Sequence, residues 1–291
     1  MTYPYRPTIE QLRQSVLSLA DAVRENGTGD TTFQNYLRWF GQVQPHRYST
    51  GNLLLIMSQS DGKASLVRGF KAWHNLGRSV RKGEKALWIY APVGGRRVTD
   101  VDPVTGEETY REWTGYRAVP VFDVAATVGP KWQPENYTSN LGPQVAPVNH
   151  ALTAYAQTLG LTVNSRPIYG SVNGFYTPDE QSIVINESLP VGIAVRTLTH
   201  EIIHALLWEK HEAENLPRAL QETETEAAAA VVWMRLGYPQ VSVNSGAYIS
   251  SWSGKIGAAM ILHSLNRIVQ TASTVLDGIQ KNMPEVEINY V

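Results

Sequence analysis

The chain contains no cysteine, which excludes a disulfide framework and any thiolate metal site, and fits a reducing compartment. It has no apolar run approaching the ~20 residues that a membrane helix requires. Met1 to Pro7 lacks the basic-then-apolar layout of a secretory leader, so the expected location is cytoplasmic, with no membrane partner. Internal repeats and low-complexity tracts are absent as well. What remains is the composition of a folded protein, 43% hydrophobic and 18% charged over 291 residues, long enough for two domains of ordinary size.

Net charge is −1, yet the halves differ. Residues 1–145 carry 17 Lys and Arg against 13 Asp and Glu, whereas residues 146–291 carry 8 against 13. Gly62 to Arg97 concentrates the excess in Lys63, Arg68, Lys71, Arg78, Arg81, Lys82, Lys85, Arg96 and Arg97, with Glu84 as its one glutamate. A basic segment inside a neutral protein points to a polyanion contact.

Thr8 to Glu25 places Ile9, Leu12, Val16, Leu19 and Val23 at helical spacing. Helices are also predicted over 32–40, 51–58 and 70–76. The period then changes to two: Ala86 to Ala91 and Ala118 to Asp123 read as strands. Polar Arg96 to Glu112 lies between them as a long hairpin or flap, with turn chemistry at Asp102-Pro-Val-Thr-Gly. Prolines and small polar residues break the pattern from Gly129 to Pro147. A helix is then predicted over 149–159, a short hairpin joins Phe175-Tyr176 to Ser182–Ile185, and a long helix covers 258–279. The expected fold class is α+β in two domains. An α+β domain spans 1–130, a linker 131–147, and a mainly helical domain with a small sheet 148–291.

The most specific signal is Thr199-His200-Glu201-Ile202-Ile203-His204. Positions i and i+4 share a helix face, so His200 and His204 can reach one metal ion, with Glu201 beside its open position. Ile193, Val195, Leu198, Ile202, Ile203, Leu206 and Leu207 set the motif on a largely buried helix. Two unpartnered imidazoles there would be costly, and a metal removes that cost. The rival reading is a pair of hydrogen-bonded core histidines with Glu201 in a surface salt bridge. A catalytic site keeps three protein ligands, and the third is expected from Gln221 to Glu226. Glu222 and Glu226 share a helical face there, Glu224 points away, and Ala227 to Ala230 allow close helix approach. Spacing alone allows either Glu222 or Glu226 as the ligand. The other would hold a ligand histidine in its tautomer. The hairpin before the motif offers Gly174 to Tyr176 as an edge strand for an extended peptide.

Single-stranded nucleic acid is bound by a positive groove with aromatic faces for base stacking. The first half has the basic run, with Arg78, Arg81, Lys82 and Lys85 as phosphate contacts and Trp73 and Tyr48 as stacking candidates. Trp39, Trp88 and Tyr90 lie nearby in sequence. The competing reading makes the aromatics core residues and the charges a solvated face.

Tyr48-Ser-Thr-Gly-Asn52, Gly77-Arg-Ser-Val-Arg-Lys-Gly-Glu-Lys85 and Val121-Phe-Asp-Val124 resemble the N-terminal domain of ArdC-type antirestriction proteins. Gly174-Phe-Tyr-Thr-Pro178, the Thr199–His204 motif, Glu222 to Ala230 and Ala247-Tyr-Ile-Ser-Ser-Trp252 resemble their C-terminal zincin-like, IrrE-related domain. The resemblance implies a mobile-element protein that binds single-stranded DNA and carries a metallopeptidase-like domain with an unknown protein or peptide substrate. In IrrE-like peptidases the third ligand is a glutamate followed four positions later by Asn or Glu. That pattern implies Glu222 as ligand and Glu226 as its neighbour. Zn2+ is the expected ion, with Mn2+ or Co2+ also suited to a His2Glu site. Glu201 is the expected general base, and Tyr248 is a candidate for stabilising an oxyanion. The rivals are a non-catalytic DNA-binding antirestriction protein with a structural metal, and a cytoplasmic metallopeptidase with no nucleic-acid role. The segment Arg96 to Glu112 is longer than the family pattern leads one to expect.

Overall fold

The structure is a computed structural model; it describes residues 7–25, 31–42, 48–101, 108–130, 145–208, 217–236 and 258–283. The chain divides into two compact units, one of Met1–Leu19 with Gly51–Lys131, the other of Ala20–Thr50 with Trp132–Val291. Mixed helix and sheet in two parts is the α+β class expected from the hydrophobic periods.

In the first unit, helix α1 (Ile9–Glu25) turns Leu12 and Val16 inward. Strands β3 (Leu87–Val101) and β4 (Glu108–Asp123) form a long antiparallel hairpin from Leu87↔Val121 to Val101↔Glu108. Within the polar segment Arg96 to Glu112, residues 96–101 pair with 108–112, which is the hairpin of the two readings offered; residues 102–107 lie outside the described residues. Strand β1 (Val67–Gly69) adds to the other side of β4, giving the order β1-β4-β3. That leaves β3 with an open edge, which helix α3 (Thr50–Gln59) closes through two side-chain amides. Asn52 Oδ1 accepts from Tyr90 N–H at 2.7 Å while its Nδ2 donates to Tyr90 O at 2.9 Å. Gln59 does the same for Trp88, at 2.9 and 2.8 Å. Spaced seven residues apart, the two amides fall on one helix face and satisfy strand groups that an exposed edge would leave open. Helix α4 (Phe70–Asn75) follows β1, and β2 (Ser79–Val80) pairs with β5 (Thr127–Val128).

In the second unit, β6 (Thr162–Arg166), β7 (Gly174–Thr177) and β8 (Ser182–Asn186) form a sheet of order β6-β8-β7. β6 runs parallel to β8 and β7 antiparallel to it, so β7 is an edge strand. Helix α6 (Val191–Trp208) packs on β7 and β8 and against α5 (Val145–Thr158) and α7 (Arg218–Arg235). Ala227, Ala228 and Ala230 are fully buried, and such small side chains let helices approach closely. Helix α8 (Ala258–Lys281) covers α5 and α7.

Helix α2 (Thr31–Gln42) also packs on α7, burying Tyr36, Leu37 and Phe40, with the Arg235 guanidinium 5.5 Å from the Phe40 ring centroid. Residues 20–50 thus group with the second unit, which a single cut of the chain near residue 130 does not reproduce. Helix α5 begins at Val145, inside the segment expected as a linker.

Candidate metal centre

Helix α6 presents His200 and His204 on one face, with Nε2 atoms 3.0 Å apart. From α7, Glu222 Oε2 lies 3.5 Å from His200 Nε2 and 3.3 Å from His204 Nε2. Three donors on the face of a tetrahedron, each about 2.0–2.2 Å from an ion, stand roughly 3.3–3.6 Å from one another. The cluster His200, His204 and Glu222 comes close to that spacing, so its donor set fits a divalent ion. Arg218, one turn before Glu222, sits 3.7 Å from the other carboxylate oxygen.

The electrostatics agree with ligation. Burial first, then the neighbouring His204, lower the His200 pKa to about 4, with Glu222 pulling the other way. Burial likewise lowers His204. Both imidazoles are therefore neutral near pH 7, the form a metal requires.

Glu201 is buried at 8% exposure, and its environment holds its pKa up to about 7. Burial is the main cause and the Glu222 charge the next, opposed by a hydrogen bond from the Tyr176 backbone. A surface salt bridge, the rival expectation for this residue, does not describe it. Its carboxylate is anchored to strand β7 by the Tyr176 N–H. A cavity of about 730 Å3 opens beside it, lined by His200, Glu201 and Arg196 of α6, Glu226 and Trp233 of α7, and Gly174 of β7, among others. Ile193, expected in the core, is 45% exposed and lines this cavity.

The remaining glutamates separate sharply. Glu224 is fully buried, receives Ser264 Oγ–H, and pairs with Arg267 of α8 through Nε at 2.7 Å and through Nη2. Glu226 reaches the cavity. Thr225 stands beside the other ring nitrogen of His204, its Oγ1 3.4 Å from Nδ1. Sequence reasoning missed Thr225, the Tyr176 N–H and the Arg267 pair, because none carries a motif. Tyr248 lies outside the described residues.

Two nucleic-acid candidates are corrected. Trp73 is 0% exposed and its Nε1–H donates to Phe122 O at 2.9 Å, so it is a core residue and offers no stacking face. Arg78 is 9% exposed and spends its guanidinium on Thr127 Oγ1 at 2.8 Å and on the carbonyls of Thr127 and Pro130. Arg81 is exposed but held by Glu84 Oε1 at 2.7 Å and Ala125 O at 2.6 Å. Lys82 and Lys85 are exposed on either side of Gly83, whose φ of +91° favours glycine. Tyr48 belongs to the second unit. Asp123 also turns out to be structural, accepting from the N–H groups of Ser65, Leu66 and Ala125.

Fold and cluster together define a mixed helix-and-sheet protein with a His-His-Glu site suited to a divalent ion beside a buried carboxylate. Residues 9–122 match the N-terminal domain of anti-restriction factor ArdC. The metal-free crystal structure of the antirestriction ArdC protein from R388 plasmid shares the fold, with a TM-score of 0.55 and 17% identity over 93% of this chain and 98% of that one. The Mn(II)-bound structure of the same protein gives a TM-score of 0.45 and 14% identity over 91% and 97%. No curated protein sequence matches. Residues 9–122 thus carry an ArdC-type N-terminal domain, and the chain as a whole shares the fold of the R388 protein.

Proposed function

We propose that this chain is an antirestriction protein whose first unit binds single-stranded DNA and whose second unit hydrolyses peptide bonds in a metal-dependent way. The observation that carries the catalytic half is the convergence of His200, His204 and Glu222 with Glu201 fixed beside them. Zinc suits this donor set, and manganese and cobalt are accepted by it. A divalent ion held there supplies Lewis acidity and a water of lowered pKa.

The chain's own groups do the rest. Glu201, with a pKa near neutrality, accepts the proton of the attacking water and returns it to the leaving amine. The Tyr176 N–H keeps that carboxylate aimed, and Thr225 steadies the His204 ring. Edge strand β7 offers backbone groups to an extended substrate. In the first unit, Lys82 and Lys85 are the phosphate contacts that this reading favours, since their ammonium groups stand exposed at a turn.

The decisive comparison is wild type against Glu201→Gln for metal content and for cleavage of candidate proteins, with and without single-stranded DNA. Equal metal content with cleavage by wild type alone supports the reading. Equal metal content with cleavage by neither makes the metal structural and DNA binding the main activity. Absence of oligonucleotide binding at low salt removes the DNA half.

A further inference from the structure

The cavity beside the metal donors contains a cation that the hydrolytic scheme leaves unused. Arg196 lies one turn before His200 on the same face of α6, exposed, and is the one permanent cation among the cavity's lining residues. It has no ion-pair partner among the described residues. The lining also holds two carboxylates: Glu201 accepts from Tyr176, and Glu226 has contacts of its own. The rest of the lining includes Ile193, Thr197, Ala229, Ala230 and Trp233, with Asn173 beside Gly174.

The strand edge beside it fixes where a peptide can lie. Asn186 N–H donates to Asn173 O at 2.8 Å, and the register pairs Phe175 with Val184. In an antiparallel pair bonded and non-bonded positions alternate, so Gly174 and Tyr176 turn their backbone groups to the open edge. The Tyr176 N–H is taken by Glu201. Gly174 is left as the position that can exchange two backbone hydrogen bonds with an added strand. A side chain there is barred, because a Cβ would stand 2.7 Å from Thr197 Cγ2 and 2.8 Å from Val184 O.

We propose that the cavity takes an extended peptide paired on Gly174, and that Arg196 binds an Asp or Glu side chain one or two residues from the scissile bond. One helical turn from His200 to Arg196 is about 5.4 Å, and an extended chain advances about 3.3 Å per residue, which sets that separation. The proposal rests on the hydrolytic reading of the adjacent centre for its scissile bond.

The test is affinity selection from a random decapeptide pool on Zn2+-loaded Glu201→Gln protein, repeated with Arg196→Gln and Arg196→Glu added. The expected result is enrichment of Asp or Glu at one position. Asn or Gln counterparts of the selected peptides should bind roughly 10- to 100-fold more weakly. Arg196→Gln removes that difference, and Arg196→Glu turns the enrichment toward Lys and Arg. A captured pool without acidic enrichment, an acidic preference that survives Arg196→Gln, or no captured peptide overturns the proposal. So does Arg196-dependent displacement of the peptides by single-stranded DNA, which would give the cation to phosphate. Selected peptides that wild type fails to cleave refute the hydrolytic reading and leave the carboxylate site standing.

Discussion

At the residue scale, Glu201 carries the sharpest consequence of burial. Its pKa is raised to about 7, so the folded protein favours the protonated form. The stabilisation that goes with a raised pKa is complete below the unfolded value of 4.5 and is lost as pH rises through about 7. Metal-stripped Glu201→Gln should therefore gain on wild type across that window, by at most about 3 kcal/mol above it. Urea unfolding of both proteins at pH 4, 5.5 and 8 measures this; a constant difference across the three would refute it. His200 has the opposite sign, since a pKa lowered to about 4 gives stability that is present above 6.5 and lost as pH falls through 4. Thr225→Val is expected to weaken metal affinity roughly tenfold in a chelator competition, the low end for removing an outer partner, because the 3.4 Å contact is long. The two histidines and Glu201 were legible because their spacing is itself the chemistry. Thr225 was not, because an uncharged residue acquires its role from the neighbour that packing gives it.

At the scale of elements, α7 and α8 share a buried pair, Glu224 with Arg267. Removing one partner strands a charge in the core. Arg267→Met should cost about 3–5 kcal/mol, read from the urea midpoint, and adding Glu224→Gln should recover much of it. Most helices were legible from the apolar period, and the strands rich in apolar and aromatic residues, such as Leu87 to Ala91 and Ser182 to Ile185, were legible too. Strand β6 was not, because Thr162 to Arg166 is mostly exposed and carries no alternation. Trp73 and Arg78 show the other limit. Composition marks a basic, aromatic segment, but only the packing of α4 and the β2–β5 pair decides which of its members face inward.

At the scale of the whole molecule, the two candidate chemistries fall in different units, the basic turn in the first and the metal cluster in the second. The sequence displayed this separation as a charge difference between halves. It concealed that residues 20–50 group with the second unit, since an amphipathic helix does not state which apolar surface it will cover. The separation makes a direct prediction about the linkage of functions. Lys82→Gln with Lys85→Gln should lower affinity for single-stranded DNA uniformly across sequences. It should also flatten the slope of log affinity against log salt by about 1.4, near 0.7 for each phosphate of a single strand that is no longer neutralised. His200→Ala should abolish metal binding and leave that slope unchanged. Filter binding or anisotropy from low to moderate salt distinguishes the two variants. If His200→Ala altered the slope as the lysine pair does, the DNA-binding surface would have to include the second unit, and the assignment of polyanion binding to the exposed turn of the first unit would be wrong.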